Sequence, residues 1–340
     1  MSRTFVALML LVSVLAGCSS PPAPPARSSA RLRVVDGPIV YDTSFATRGG
    51  VSIAYDAGSG QVSSLDAAGA HALGSAARDG LAVCVLGAGE FAVVTPELVQ
   101  LGEVSTPLSE VFGAGAAPGY WAGCSGTSAD DVWVVMADRL AHFDGATWSS
   151  EIIEGLVPRA GVVATERFVY LRLEDGVYRQ AGEGGELELV RAAAHETELR
   201  DVDATHAGLV LRDMYDAPYE ALLIADDDSR ASYDLESLTS ELGGALSYEL
   251  DVAFDGTAGL YLSLLDSDGR SETSFGGSTT RYYPDWIQVT LFRVEGTRAQ
   301  ELGHHDEIPP EGTTGHGSAR MLVTPEGPVV SYDHVLLTLP

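Results

Sequence analysis

The sequence predicts an all-β chain folded as a single β-propeller, and three observations carry that prediction. Apolar strand-like runs recur near a fixed spacing, long helical periodicity is missing, and turn residues are frequent throughout. Ser52 in GGVSIAY, Ala92 in GEFAVV, Trp133 in DDVWVV, Tyr170 in RFVYLRL, Val210 in AGLVLR, Tyr261 in AGLYLSL and Val330 in GPVVSY hold comparable positions after small or acidic turn residues. The successive spacings are 40, 41, 37, 40, 51 and 69 residues. Most of these lie near the ~40 residues of a four-stranded blade. A β-sandwich also consists of short strands, but it predicts no such repeat. Over residues 31–340, seven blades would take about 44 residues each, and six or eight also fit.

Each element follows from local chemistry. The clearest unit is Gly123–Trp148, with strand-like runs Val132–Met136 and Leu140–Phe143 separated by Ala137-Asp138-Arg139. Asp144-Gly145 then predicts a tight turn toward Thr147-Trp148, because Gly accepts the positive φ that a type I′ hairpin needs. The only helix-like stretches, Ala192–Thr197 and Asp234–Leu242, are short. A ring must not leave a strand edge unpaired, so Leu32–Val35 is expected to pair with Val335–Leu339 in one blade.

Before this body, Met1-Ser2-Arg3-Thr4 is a short positive region and Phe5–Leu15 an apolar run of eleven residues, too brief to cross a bilayer. Leu15-Ala16-Gly17-Cys18 follows and resembles the bacterial lipobox. The resemblance implies a signal peptide over residues 1–17 and lipidation at Cys18, with Ser19 in place of Asp favouring the outer membrane. Two or more acyl chains anchor a protein stably where one does so marginally. Residues 18–30 (CSSPPAPPARSSA) form a semi-rigid spacer, since Pro pairs favour extended polyproline geometry. The expected location is therefore the cell envelope, with the membrane a partner through the lipid anchor.

Composition removes whole function classes. The chain has no Lys and no Asn, which excludes a Walker lysine, a Schiff-base lysine and an N-glycosylation acceptor. A net charge of −28 argues against nucleic-acid binding, which needs a basic footprint. No cofactor is expected, as no dinucleotide-binding GxGxxG pattern occurs in a strand-to-helix context; HExxH and a nucleophile elbow are missing too.

DDVW followed by HFDGATW resembles propeller-like repeats of secreted bacterial proteins, and is distantly similar to the Asp-box turn of sialidase-type blades. The Asp-box separates its Asp and Gly by one residue, whereas Asp144 and Gly145 are adjacent, so sialidase chemistry is not carried over.

Four candidate sites stand out. Cys84 and Cys124 fall at equivalent points of consecutive repeats, and either pair as a disulfide or pack as buried thiols. Asp226-Asp227-Asp228 and Asp266-x-Asp268-Gly269 are acidic turns that lack the remaining ligands of a calcium loop. His304, His305, Asp306 and His316 have ligand chemistry, but the Pro- and Gly-rich stretch between them fixes no spacing, so no metal site is expected. Residues 266–288 interrupt the repeat between a strand ending near Leu265 and one resuming at Val289. This insertion carries Arg281, Tyr282, Tyr283, Asp285 and Trp286, residue types suited to partner recognition. The expected function is a binding or scaffolding module for an envelope protein or glycan. The alternative is a hydrolase or lyase with acidic residues and Tyr at the channel mouth, its catalytic residues not identifiable from the sequence. An enzyme should converge several carboxylates and an Arg on the channel, with shifted pKa values, whereas a binding module should present an aromatic patch.

Overall fold

A computed structural model describes residues 30–36, 43–87, 89–113, 119–192, 197–212, 218–241, 249–256, 259–273, 280–309, 319–332 and 335–340. These form seven four-stranded antiparallel sheets arranged as the blades of one propeller. Blade 1 spans residues 43–75, blade 2 82–107, blade 3 122–152, blade 4 162–192, blade 5 197–234 and blade 6 249–307. Blade 7 combines residues 319–338 with Arg33–Asp36 as its outermost strand. That strand pairs with Val335–Thr338 in the register Arg33↔Thr338 to Asp36↔Val335, so the two ends of the chain close the ring.

All seven repeat positions, from Ser52 to Val330, lie on the second strand of their blades. The reason is packing. A second strand is covered on both faces by neighbouring blades, so it becomes a nearly continuous apolar run instead of an alternating one. VYLRL (Val169–Leu173) is buried along its whole length and DVWVVM (Asp131–Met136) at all but its first residue. The outermost strands WSSEI and VSTP carry no buried residue and are largely polar.

In blade 3 the strands are Ala122–Ser128, Asp131–Met136, Arg139–Phe143 and Trp148–Ile152. The two-residue turn is Ala137-Asp138, with Ala137 at φ 52°. Gly145 does take a positive φ of 86°, but its connection is four residues long rather than a type I′ pair. Its shape comes from Asp144, whose Oδ1 accepts from the backbone N–H groups of Ala146 (2.9 Å) and Thr147 (2.7 Å). Trp133 stacks on His142 with ring centroids 3.9 Å apart, and both rings donate to or share a proton with Asp131 (3.1 and 2.9 Å). Burial alone would raise the Asp131 carboxyl, but bonds from His142, Thr127 and Trp133 outweigh it and hold the pKa below its ordinary value.

Helix Leu235–Glu241 occupies the link from blade 5 to blade 6. Asp234 caps it, accepting from Ser237 N (2.9 Å) and Ser237 Oγ (2.7 Å). Leu235 and Leu238, three residues apart, bury into the core shared by blades 5 and 6. Of the other helix-like stretch, Ala192 ends one strand and Thr197 begins the next, and 193–196 lie outside the described residues.

The insertion also differs from the loop expected for it. Strands Leu260–Thr273 and Thr280–Glu295 stay paired well past the blade, from Asp266↔Gln288 to Thr273↔Thr280, with a bulge beside Gly269. The blade's first strand reaches only to Glu249↔Leu265. Aromatic and β-branched residues on the return strand favour the ladder, and the result is a hairpin arm.

Candidate functional site

In an antiparallel blade, the turn between second and third strands and the link to the next blade share one face of the ring. The blade-6 arm and the links entering each first strand therefore share that face, called here the upper face. The first strands line an axial pocket of about 410 Å³ that runs down from it.

The floor is built from three non-adjacent blades. Arg48 ends the first strand of blade 1, and the hairpin after it, Gly49-Gly50, has both residues at positive φ (56° and 74°), a geometry that favours glycine. The turn reaches across the axis, where Gly49 N donates to Val202 O of blade 5 (2.6 Å). Arg48 follows it, pairing through Nη1 with Asp201 of blade 5 and with Ser125 Oγ of blade 3 (3.4 Å). Ser125 donates to Asp201 Oδ2 (2.7 Å) and accepts from Ala164 N of blade 4 (2.9 Å). Burial pushes the Asp201 pKa up to about 6, further than Arg48 and Ser125 pull it down.

A second ion pair stands on the wall. Arg200 Nη2 contacts Asp251 Oδ1 of blade 6 (2.8 Å) and Glu198 Oε1 (3.1 Å), while Asp251 Oδ2 accepts from Met321 N of blade 7 (2.9 Å). Arg159 and Arg320 also line the pocket, both exposed. Arg159 lies over the Trp121 ring at 5.3 Å. Tyr120 and Trp121, 92% and 58% exposed, form an aromatic step on the same link-bearing upper face.

Cys84 and Cys124 sit on the first strands of blades 2 and 3, in the pocket wall. Their sulfurs are bonded, with the Cα atoms 5.7 Å apart. Replacing both by Ser is expected to cost about 4 kcal/mol through a loop of this length. Denaturant midpoints of the variant and wild type, without reductant, check this; coincident curves would show that the bond contributes nothing.

The remaining sequence candidates are dispersed. Arg281, Tyr282 and Tyr283 lie on the arm opposite Glu272, Ser271 and Arg270; Asp285 is exposed and Trp286 half-buried. His304, His305 and Asp306 are on the outer strand Arg298–Glu307 of blade 6 rather than in a loop. Asp226 accepts from Thr165 Oγ1 (2.6 Å) and Asp228 pairs with Arg179, so that acidic turn links blades 4 and 5. Among the described residues no group of three His, Cys, Asp or Glu is placed to hold a metal ion, and no helix is long and apolar enough to cross a membrane. Residues 1–29, with Cys18, the signal segment and all of the spacer but Ala30, lie outside the described residues, as does His316.

Apart from Cys84 and Cys124, sequence reasoning missed the residues in and around the pocket. Tyr120-Trp121 carried a signal: adjacent large aromatics after a Gly- and Ala-rich link cannot both turn inward from a strand. Arg48, Asp201, Arg159 and Arg320 carried none.

No protein-family model matches the sequence, and no curated protein matches it. Solved structures do share its shape. The extracellular domain of the putative hybrid two component system BT4673 from B. thetaiotaomicron is similar at a TM-score of 0.50 and 10% identity, covering 91% of this chain and 40% of that one. PorZ, described as a bacterial surface component of the type-IX secretion system of Porphyromonas gingivalis, matches at 0.35 and 9%, over 90% and 57%. Kluyveromyces lactis Hsv2 matches at 0.44 and 11%, over 89% and 91%. At such identities the likeness concerns the fold, a seven-bladed β-propeller.

Proposed function

We propose that this protein is a lipid-anchored, extracytoplasmic binding propeller that recognises an envelope protein or glycan through its upper face. The observation that carries this reading is the blade-6 arm, whose ladder continues to Thr273↔Thr280 beyond the first strand of its blade. A paired hairpin presents side chains on a fixed frame at lower entropic cost than a free loop. The extracellular setting named for the BT4673 domain is consistent with an envelope location.

Replacing Tyr282, Tyr283 and Trp286 together by Ala should leave the melting temperature nearly unchanged and strip the partners captured from native envelopes. An unchanged capture profile would remove the arm from the contact. For the anchor, Cys18→Ser is expected to shift the protein from the membrane to the soluble fraction; retention on membranes would overturn lipidation at that residue.

A hydrolase or lyase reading is favoured by one observation, the convergence of Glu198, Asp201 and Asp251 with Arg48 and Arg200 at the pocket. Against it, both oxygens of Asp201 and of Asp251 are already engaged by Arg48, Ser125, Arg200 and Met321 N. The carboxylates act as ties between blades, which suits a rigid receptor better than a general acid.

A further inference from the structure

The axial pocket has a charge balance unlike the rest of the molecule. The chain as a whole carries −28. The pocket lining carries three guanidiniums, Arg159, Arg200 and Arg320, against three carboxylates, Glu198, Asp201 and Asp251, and a fourth guanidinium, Arg48, lies buried beneath it, paired with Asp201. With Arg48 included, one positive charge is left over. The pairing shows where it resides: Arg48 is tied to Asp201, and Arg200 to Asp251 and Glu198. Arg159 and Arg320 make no ion pair among the described residues; Arg159 stands in the link into blade 4 and Arg320 on the first strand of blade 7. Below them, Nη2 of Arg48, a side chain only 6% exposed, and Nε of Arg200 are buried with no hydrogen-bond partner. In a protein this acidic, two unpaired cations lining one pocket suit an anion.

The rest of the mouth narrows the class. The pocket, at about 410 Å³, falls within the ~300–1,000 Å³ of small-molecule sites. A single surplus charge matches a monoanion better than a dianion, which would meet the wall carboxylates. Beside Arg159 stands Trp121, its ring 5.3 Å from the guanidinium and 58% exposed, which offers a surface for the C–H face of a hydroxylated ring, the amphipathic contact that aromatic side chains make well.

We infer that the axial pocket binds a carboxylate-bearing sugar, with Arg159 and Arg320 taking the carboxylate and Trp121 the face of the ring. The site is separate from the blade-6 arm, so loss of envelope capture in the arm variant and loss of sugar binding here are distinguishable.

The test is calorimetric titration of the full-length protein with glucuronate, using glucose, acetate and glucose 6-phosphate as comparison probes. Glucuronate is expected to bind and to bind tightest. Arg159→Gln and Arg320→Gln, both at exposed side chains, should keep the wild-type melt and weaken glucuronate about tenfold or more each, as charge-assisted hydrogen bonds are lost. Trp121→Ala should weaken glucuronate while leaving acetate unchanged. The proposal is overturned by no glucuronate binding at millimolar concentration, or by equal binding of glucose. Tighter binding of acetate or glucose 6-phosphate, or affinity indifferent to both Arg substitutions, overturns it equally.

Discussion

A chain ending at Val330 is expected not to fold. Truncation there deletes the strand Val335–Thr338, which among the described residues is the only ladder partner of Arg33–Asp36. It removes Leu336 and Leu337, both fully buried, and Tyr332, 3% exposed. Large core side chains are worth about 2–5 kcal/mol each, so three of them approach the ~5–15 kcal/mol by which a whole domain is stable. The loss is not confined to blade 7. Leu337 and Tyr332 pack with Leu265, Ile287 and Val289 of blade 6, and Leu336 with Ala54 and Leu65 of blade 1, so both flanking blades lose cover. Far-ultraviolet circular dichroism and limited proteolysis check the outcome. A soluble, protease-resistant truncate would refute closure through this strand.

The second large effect is expected at Arg48. Arg48→Met keeps the length of the side chain but leaves the Asp201 carboxylate, only 17% exposed, without its cation. Breaking one side of a buried pair costs about 3–5 kcal/mol. The pH dependence gives a signature that lost packing would not. Asp201 titrates near 6 in the folded protein, above the ~3.9 of an unfolded Asp. A raised carboxyl favours folding most when it is protonated in both states, and that contribution disappears as pH rises through the folded value. Without Arg48 the folded value rises further. The stability difference between variant and wild type should therefore be largest at pH 8 and shrink toward pH 4. Denaturant titrations across that range would measure it, and a difference independent of pH would assign the defect to packing alone. Asp131 behaves in the opposite sense: its pKa is lowered, so its contribution is present at neutral pH and lost on acidification.

The repeat was legible because the second strand of every blade is apolar on both faces. Ser52, Ala92, Trp133, Tyr170, Val210, Tyr261 and Val330 mark one strand position seven times. The long interval between Tyr261 and Val330 misled only about local form. Gly, Ser and Thr between Asp266 and Thr280 have the composition of a loop, yet the backbone ladder runs through most of that stretch. The pocket stayed hidden for a different reason. Its charged residues come from several blades, with only Glu198, Arg200 and Asp201 sharing a strand, and an Arg or Asp in an innermost strand looks like any polar residue until the ring brings it to the axis. Cys84 and Cys124 were the exception, because two cysteines at equivalent repeat positions single themselves out.

The turn at Gly49-Gly50 has a consequence for how the chain assembles. In a linear array of repeats each unit touches only its neighbours, and folding can begin anywhere and spread. Here Arg48 is joined to a carboxylate 153 residues away, in a blade that is not adjacent to its own. That contact cannot form until five blades have been made and the arc between them has curved. Non-local pairings of this kind slow folding, so the strut is expected to set late, and variants at the turn should change the unfolding rate more than the folding rate.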